Sequence, residues 1–382
     1  MKTRIAYLTF ENPLDKKSWS GIHYNMLESL EREGFEVNCL GPVESSFLKL
    51  LRGISFLSKT ILRKKILFRH TLISSRIYGR IFRKKIDDYN PDLIFAANAS
   101  TEIAFLGDLK IPIIYLSGGT VKLLEGYYES FSNVFLFSSR NANKVEQAAI
   151  DKASALVYPT YWAANSAKND YGASEEKVHV IPYGANVDFE SSEPKNLDLE
   201  KVRMLLVGVR WEGKGAPIAI EAVQELRKRG YNVTIDICGC QPPEPIHEEG
   251  INIHGFLDKR DGNQAKKLKE LYTNATFFIL PTRYENFGVS FVEALAAGLP
   301  CLGTNTGGVP TIIEPGENGY LFELSDRGEV YADKVMEMLN NPGHYTELSK
   351  NARISFEQRF NWKVWGSEIK KVIQKVVDQK EA

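Results

Sequence analysis

The sequence predicts an α/β chain of two doubly wound, Rossmann-like domains facing each other across a cleft, with a C-terminal helix returning to the first. Three observations carry this. Short apolar runs alternate with amphipathic helix-like stretches along the chain, the alternation restarts after a polar, helix-poor stretch at 186–201, and glycine turns follow several of the strand-like runs. Such alternation builds a parallel sheet covered by helices on both faces. A length of 382 residues accommodates two or three domains. The expected divisions are 1–186, 187–360 and a returning helix at 361–382.

In chain order, "RIAYLTF" reads as the first strand, "GIHYNMLESLEREG" as the helix after it and "FEVNCLG" as the second strand. "PDLIFAAN", "IPIIYLSGG", "ALVYPT" and "VHVIPYG" continue the first sheet. After 186–201 the second begins with "VRMLLVGV", followed by the helix "APIAIEAVQELRKRG" and the strands "NVTIDICG" and "INIHGF". "KKLKELYTNA" and "SFVEALAAG" are helical, with "TFFILP" and "PCLGTN" as further strands. The stretch from about 342 is helical to the end.

Formal net charge is zero, so bulk electrostatics point to no nucleic acid and no membrane. Four cysteines (Cys39, Cys238, Cys240, Cys301) form neither a disulfide framework nor a paired C-x-x-C zinc spacing. They fit a reducing cytosol, and "ICGC" reads as the end of a buried strand. The N-terminal apolar run is too short for a signal peptide, and no run approaches the ~20 apolar residues of a membrane span. A cytoplasmic protein is expected. Residues 46–86 stand apart, with twelve Lys/Arg, no Asp or Glu, and apolar residues at helical spacing. Two readings stay open for these basic helices: a solvated face over an ordinary core stripe, or peripheral docking on an anionic membrane or a lipid-linked substrate. No recognition motif accompanies the charge, so nucleic acid is not expected.

The chemistry concentrates in "RYENFGVSFVEALAAGLP" at 283–300, where Glu285 and Glu293 flank a turn into an apolar helix. Asn286 is the expected N-cap of a helix over 287–297, closed by Gly298 and Pro300. Asn286 and Glu293 are then two turns apart, about 10 Å along the axis. Glu285 sits beside the amides of Phe287, Gly288 and Val289. Paired glycosidase carboxylates lie about 5–5.5 Å or 6.5–9.5 Å apart, so this spacing suits a grip on the two ends of one ligand better than a hydrolytic couple. An ordinary capped surface helix is the competing reading. Around it, "VGVRWEGKG" at 207–215 offers three glycines with Arg210 and Lys214, "KKSWSGIHYNML" places Gly21 at a strand-to-helix turn, and "TNTGGVPTII" supplies Gly307 and Gly308. Glycine-rich turns at strand ends bring amides to an anion that Arg and Lys neutralise. The order is not that of a Walker A loop.

The stretch "RYENFGVSFVEALAAGLPCLGTNTGGVPTIIEPGENGYLF" resembles the E-x7-E region of retaining nucleotide-sugar glycosyltransferases with the GT-B fold (family four). "VGVRWEGKG", "VHVIPYGANVDF" and the Gly21 turn extend the resemblance over nearly the whole chain. It implies that Glu285 contacts the donor sugar and Glu293 the ribose hydroxyls. It further implies that Arg210 and Lys214 neutralise the departing diphosphate, that Gly21 approaches phosphate, and that Phe287, Gly288 and Val289 line the donor. The implied reaction transfers a sugar, with a UDP-linked donor expected, to a glycan, lipid-linked or small-molecule acceptor. With no D-x-D triplet, no metal or other cofactor is expected. Many members carry a histidine where Ser117 stands; Ser117 and His23 are the acceptor-side candidates. His23 is expected on a helix surface, and His179 and His254 in structural roles. Two alternatives remain, a GT-B epimerase or hydrolase and a degenerate nucleotide-sugar-binding protein.

Overall fold

The structure is a computed structural model describing residues 2–43, 46–187, 189, 195 and 197–381. The chain divides into two compact units. Unit 1 comprises residues 1–182 and 362–382, and unit 2 residues 183–361. Each is built on one six-stranded parallel sheet.

In unit 1 the strands are β1 (Arg4–Leu8), β2 (Glu36–Cys39), β3 (Leu93–Ala97), β4 (Ile113–Leu116), β5 (Ala155–Tyr158) and β6 (Val178–Val180). Their order is β2-β1-β3-β4-β5-β6, and Ile5 pairs with both Val37 and Leu93. The central strands β3, β4 and β5 are buried throughout, which is why they read as continuous apolar runs rather than alternating ones. Helices Ser46–Leu62 and Leu72–Tyr89 occupy the basic segment. Thr71 caps the second, its side chain accepting from the Ser74 N–H.

The final helix, Trp362–Glu381, belongs to unit 1 and packs on Ile22–Arg32. Trp365 is fully buried, its ring edge-on to Phe95 of β3 at 6.4 Å, with Ile369 and Ile373 buried below it. Lys370 Nζ pairs with Glu33 at 3.1 Å.

In unit 2 the strands are β7 (Val202–Val207), β8 (Val233–Cys238), β9 (Ile251–Gly255), β10 (Phe277–Leu280), β11 (Cys301–Thr304) and β12 (Gly319–Phe322), in the order β12-β11-β10-β7-β8-β9. The chain therefore builds outward from β7 to β9 and then reverses to β10 on the other side of β7. Loops leaving β7 and β10 at their C-terminal ends part to opposite faces, the place where open α/β sheets bind ligands. "ICGC" ends β8, with Cys238 and Cys240 buried as expected. Strand β12, inside the "GENGYLF" stretch, has too short an apolar run to stand out in the sequence; only its pairing with β11 makes it a strand.

The Trp362–Glu381 helix contributes to the core of unit 1 through its indole. Trp365→Ala is expected to cost about 3–5 kcal/mol, the usual range for emptying a buried aromatic site. Trp365→Phe is expected to be milder, because the indole N–H has no hydrogen-bond partner among the described residues. Urea unfolding followed by circular dichroism checks both.

Candidate functional site

Unit 2 brings together three loops that follow neighbouring strands. The loop after β7 runs from Gly208 to Gly215, where Gly215 caps the helix Ala216–Lys228. The loop after β10 runs to Gly288, which caps the helix Val289–Ala296. The loop after β11 carries Gly307 and Gly308. The Gly213 carbonyl accepts from the Arg283 N–H at 2.9 Å and from the Thr282 hydroxyl at 3.1 Å. The Gly308 N–H donates to the Glu285 carbonyl at 3.0 Å. Gly213 lies against the Tyr284 phenol, which would have to move aside for any Cβ there.

This arrangement corrects the expected helix start. Asn286 is not the cap. Gly288 is, at φ +105°, a left-handed conformation that a side chain disfavours, so the backbone from Glu285 to Gly288 is a turn and the helix begins at Val289. The rise counted from Asn286 therefore overstates the helical part of the E-x7-E segment. Phe287 is buried, its ring edge-on to Tyr183 at 5.0 Å.

Both glutamates are buried and both are paired. Glu285 accepts a charge-assisted hydrogen bond from Lys214 Nζ. Arg210 Nη1 lies 3.4 Å from the Tyr284 hydroxyl, so both cations of the first loop reach the loop that holds Glu285. Glu293, 1% exposed, accepts from Lys259 Nζ on one oxygen and from the Tyr272 hydroxyl at 3.0 Å on the other. Burial, reinforced by the Glu293 carboxylate, holds the Tyr272 phenol well above its ordinary range, so it stays a proton donor. Residues 283–300 and 207–215 pointed to Arg210, Lys214, Glu285 and Glu293. Lys259 and Tyr272 were missed. Neither lies in a glycine turn, and the one available signal was an uncompensated carboxylate on an apolar helix, which demands partners once buried.

Unit 1 holds the remaining candidates. Gly21 has φ +88° and caps Ile22–Arg32, and it is preceded by Trp19 and Ser20, both also left-handed. Two such non-glycine residues in succession make a strained turn, the kind held in place at functional sites. His23 is not a surface residue. It is wholly buried, with Nδ1 2.9 Å from the Tyr7 hydroxyl and Nε2 3.2 Å from Thr9 Oγ1. The first turn of its helix lies over the sheet, so the ring faces β1. Ser117 follows β4 directly and is buried, and its hydroxyl donates to the Gly119 carbonyl at 2.8 Å within its own turn. His179 lies in β6, and His254 in β9 is 2.6 Å from Asp236 of β8.

Among the described residues, no three His, Cys, Asp or Glu side chains cluster as a metal site would require, and no helix is long and apolar enough to cross a membrane.

A family model described as Glycosyl transferases group 1 matches residues 187–355, and one described as Glycosyltransferase Family 4 matches residues 23–189. A sucrose synthase of Denitrovibrio acetiphilus is 33% identical over 277 residues, which is 64% of this chain and 34% of that protein. The chain spans about a quarter to three fifths of the length of the curated relatives it matches. Sucrose-phosphate synthase from Thermosynechococcus elongatus superposes with a TM-score of 0.69 at 14% identity, over 99% of this chain and 100% of that one. Anabaena HepE, solved with UDP and glucose, superposes at 0.62 and 14% identity, over 97% and 99%. At these identities the likeness to solved structures is one of fold.

The buried His23 makes stability depend on pH. Burial lowers its pKa from 6.5 to about 4, whereas the unfolded ring takes a proton below 6.5. Stability from this group is therefore lost as pH falls from 6.5 toward 4, by about 3 kcal/mol in full. Buried Glu146, raised to about 7, works the other way, losing stability as pH rises from 4.5 through 7. His23→Gln is expected to melt lower than the parent at pH 7.5 but to lose less further Tm between pH 6.5 and 4.5; thermal melts across that range check it.

Proposed function

The chain belongs to the GT-B glycosyltransferases of family four, and on that premise we propose that it transfers a sugar, with retention and without a metal, from a UDP-linked donor to a hydroxyl of a glycan, lipid-linked or small-molecule acceptor. The observation that carries the reading is the meeting of Lys214 and Glu285 where the loops after β7, β10 and β11 are tied together. It puts cations, a carboxylate and backbone amides at the sheet's reversal point, the equipment for holding a sugar diphosphate.

In the proposed reaction the bond from the anomeric carbon to the diphosphate oxygen breaks, and the electron pair leaves with the diphosphate. The acceptor oxygen bonds to the same face of the sugar, and its proton passes to the departing diphosphate. Arg210 and Lys214 stabilise the charge that develops there, which is the largest protein contribution to such a step. Glu285 contacts the sugar, with Phe287, Gly288 and Val289 lining the donor. Glu293 accepts from the ribose hydroxyls. Lys259 and Tyr272 are positioning residues that hold its carboxylate. Acceptor recognition falls to unit 1, and the strained Gly21 turn keeps the donor-phosphate role that the resemblance implies for it.

Screening UDP-sugars by thermal shift, then identifying the product and its anomeric configuration by mass spectrometry and NMR, tests the reading. Donor hydrolysis or rearrangement with no acceptor product would move the assignment to an epimerase or hydrolase. Arg210→Ala and Lys214→Ala are expected to lower kcat about a hundred- to a thousandfold, as loss of one oxyanion-stabilising donor does. Parental rates in both variants, with Tm unchanged, would exclude the leaving-group role.

The glutamates are expected to separate. Glu293→Ala weakens UDP binding measured by calorimetry, because ribose is bound alike in ground and transition states. Glu285→Ala spares UDP affinity and lowers kcat. Lys259→Met is expected to follow Glu293→Ala in direction, at smaller size.

A further inference from the structure

The helix Ser46–Leu62 turns several large apolar side chains outward, whereas Ser55 and Ser58 face the protein. Ser55 Oγ donates to the Ile66 carbonyl at 2.6 Å and Ser58 Oγ to the Lys64 carbonyl at 2.7 Å. Leu50, Leu57 and Ile61, spaced seven and four residues apart and so on one face, point to solvent with 59%, 55% and 71% exposure, beside Phe56 at 68%. The exposed apolar surface continues beyond the helix. Lys65 donates its N–H to the Asn133 carbonyl at 2.9 Å, and the Phe135 N–H donates back to the Lys65 carbonyl at 3.0 Å. That pairing seats exposed Leu136 and Phe137 next to the end of the helix.

The twelve cations of 46–86 divide by what they touch. Arg69 pairs with buried Glu102 at 2.7 Å, Arg83 with Asp87 at 2.9 Å, and Lys85 donates to the Leu40 carbonyl. These serve the fold. Lys59, Arg63 and Lys64 lie on the flank and at the end of the exposed apolar face, are themselves exposed, and are in no ion pair among the described residues.

We propose that unit 1 docks on an anionic lipid bilayer through this face, with Leu50, Phe56, Leu57 and Ile61 entering the interface and Lys59, Arg63 and Lys64 meeting headgroup phosphates. Charge decides the occupant. A second copy of the chain would bring the same cations against themselves, with no acid anywhere in 46–86 to offset them. An anionic surface matches both the apolar and the basic parts, and an amphipathic helix with its apolar side outward is the element that lies in an interface. The surface is read from unit 1 alone and does not rest on the transfer reaction.

The test is flotation of the full chain with vesicles of phosphatidylcholine alone and of phosphatidylcholine with phosphatidylglycerol, at low and raised salt. Binding is expected to the anionic vesicles and to weaken with salt. Leu57→Ser/Ile61→Ser is expected to abolish it with unchanged Tm, since both side chains are already in water. Lys59→Gln/Arg63→Gln/Lys64→Gln is expected to weaken it about a hundredfold, some fivefold per cation. A parent chain that floats with neither vesicle at low salt overturns the proposal. So does parental binding by the leucine–isoleucine variant. Sedimentation velocity showing self-association that this same variant abolishes, without vesicle binding, would make the face an interface between copies instead.

Discussion

The Gly213 carbonyl is the point on which the site in unit 2 depends. It accepts from the Arg283 N–H and the Thr282 hydroxyl, and so joins the loop after β7 to the loop after β10. Those strands are neighbours because the chain reverses direction across the sheet at β7. The same two loops also meet through Lys214–Glu285 and Arg210–Tyr284. With the carbonyl in place, the backbone segments that carry Arg210, Lys214 and Glu285 are fixed relative to one another, and the side chains meet from them. The Gly308 N–H to the Glu285 carbonyl adds the third loop to the same frame.

Buried carboxylates then set the electrostatics. Glu285 and Glu293 are both removed from water, and a buried charge is tolerated only when paired. Lys214 and Lys259 supply the pairing. On the proposed reading this has a further effect. The Lys214 charge is offset by Glu285, so a diphosphate binding there competes for the lysine rather than creating the charge balance anew.

Unit 1 uses the same physics for other ends. Arg69 and Glu102 pair inside it, with the Arg69 guanidinium 3.4 Å above the Phe10 ring, so one cation of a basic segment is built into the fold. The neighbouring Ser46–Leu62 helix keeps Lys59, Leu50 and Leu57 outside and turns Ser55 and Ser58 inward. The second helix of that segment instead buries Tyr78, Phe82 and Ile86 in the core.

The amino-acid sequence by itself determined the two parallel sheets, because strands buried on both faces are continuous apolar runs and glycine punctuates their ends. It also singled out Arg210, Lys214 and Glu285, which sit in turns, and Glu293 on the helix that follows one, since their spacing is local. What only the tertiary structure decided is which side chain answers which. Lys259 lies 34 residues from Glu293 and Tyr272 lies 21 away, and both reach it only because β9 and the helix Gly262–Asn274 fold back beside Val289–Ala296. The burial of His23 against Tyr7 and Thr9 shares that cause, whereas the cap at Gly288 and the turning of the Ser117 hydroxyl to the Gly119 carbonyl are settled by local backbone geometry. Periodicity reports which face of an element is apolar. The partners of buried polar side chains are fixed by contacts far apart in sequence.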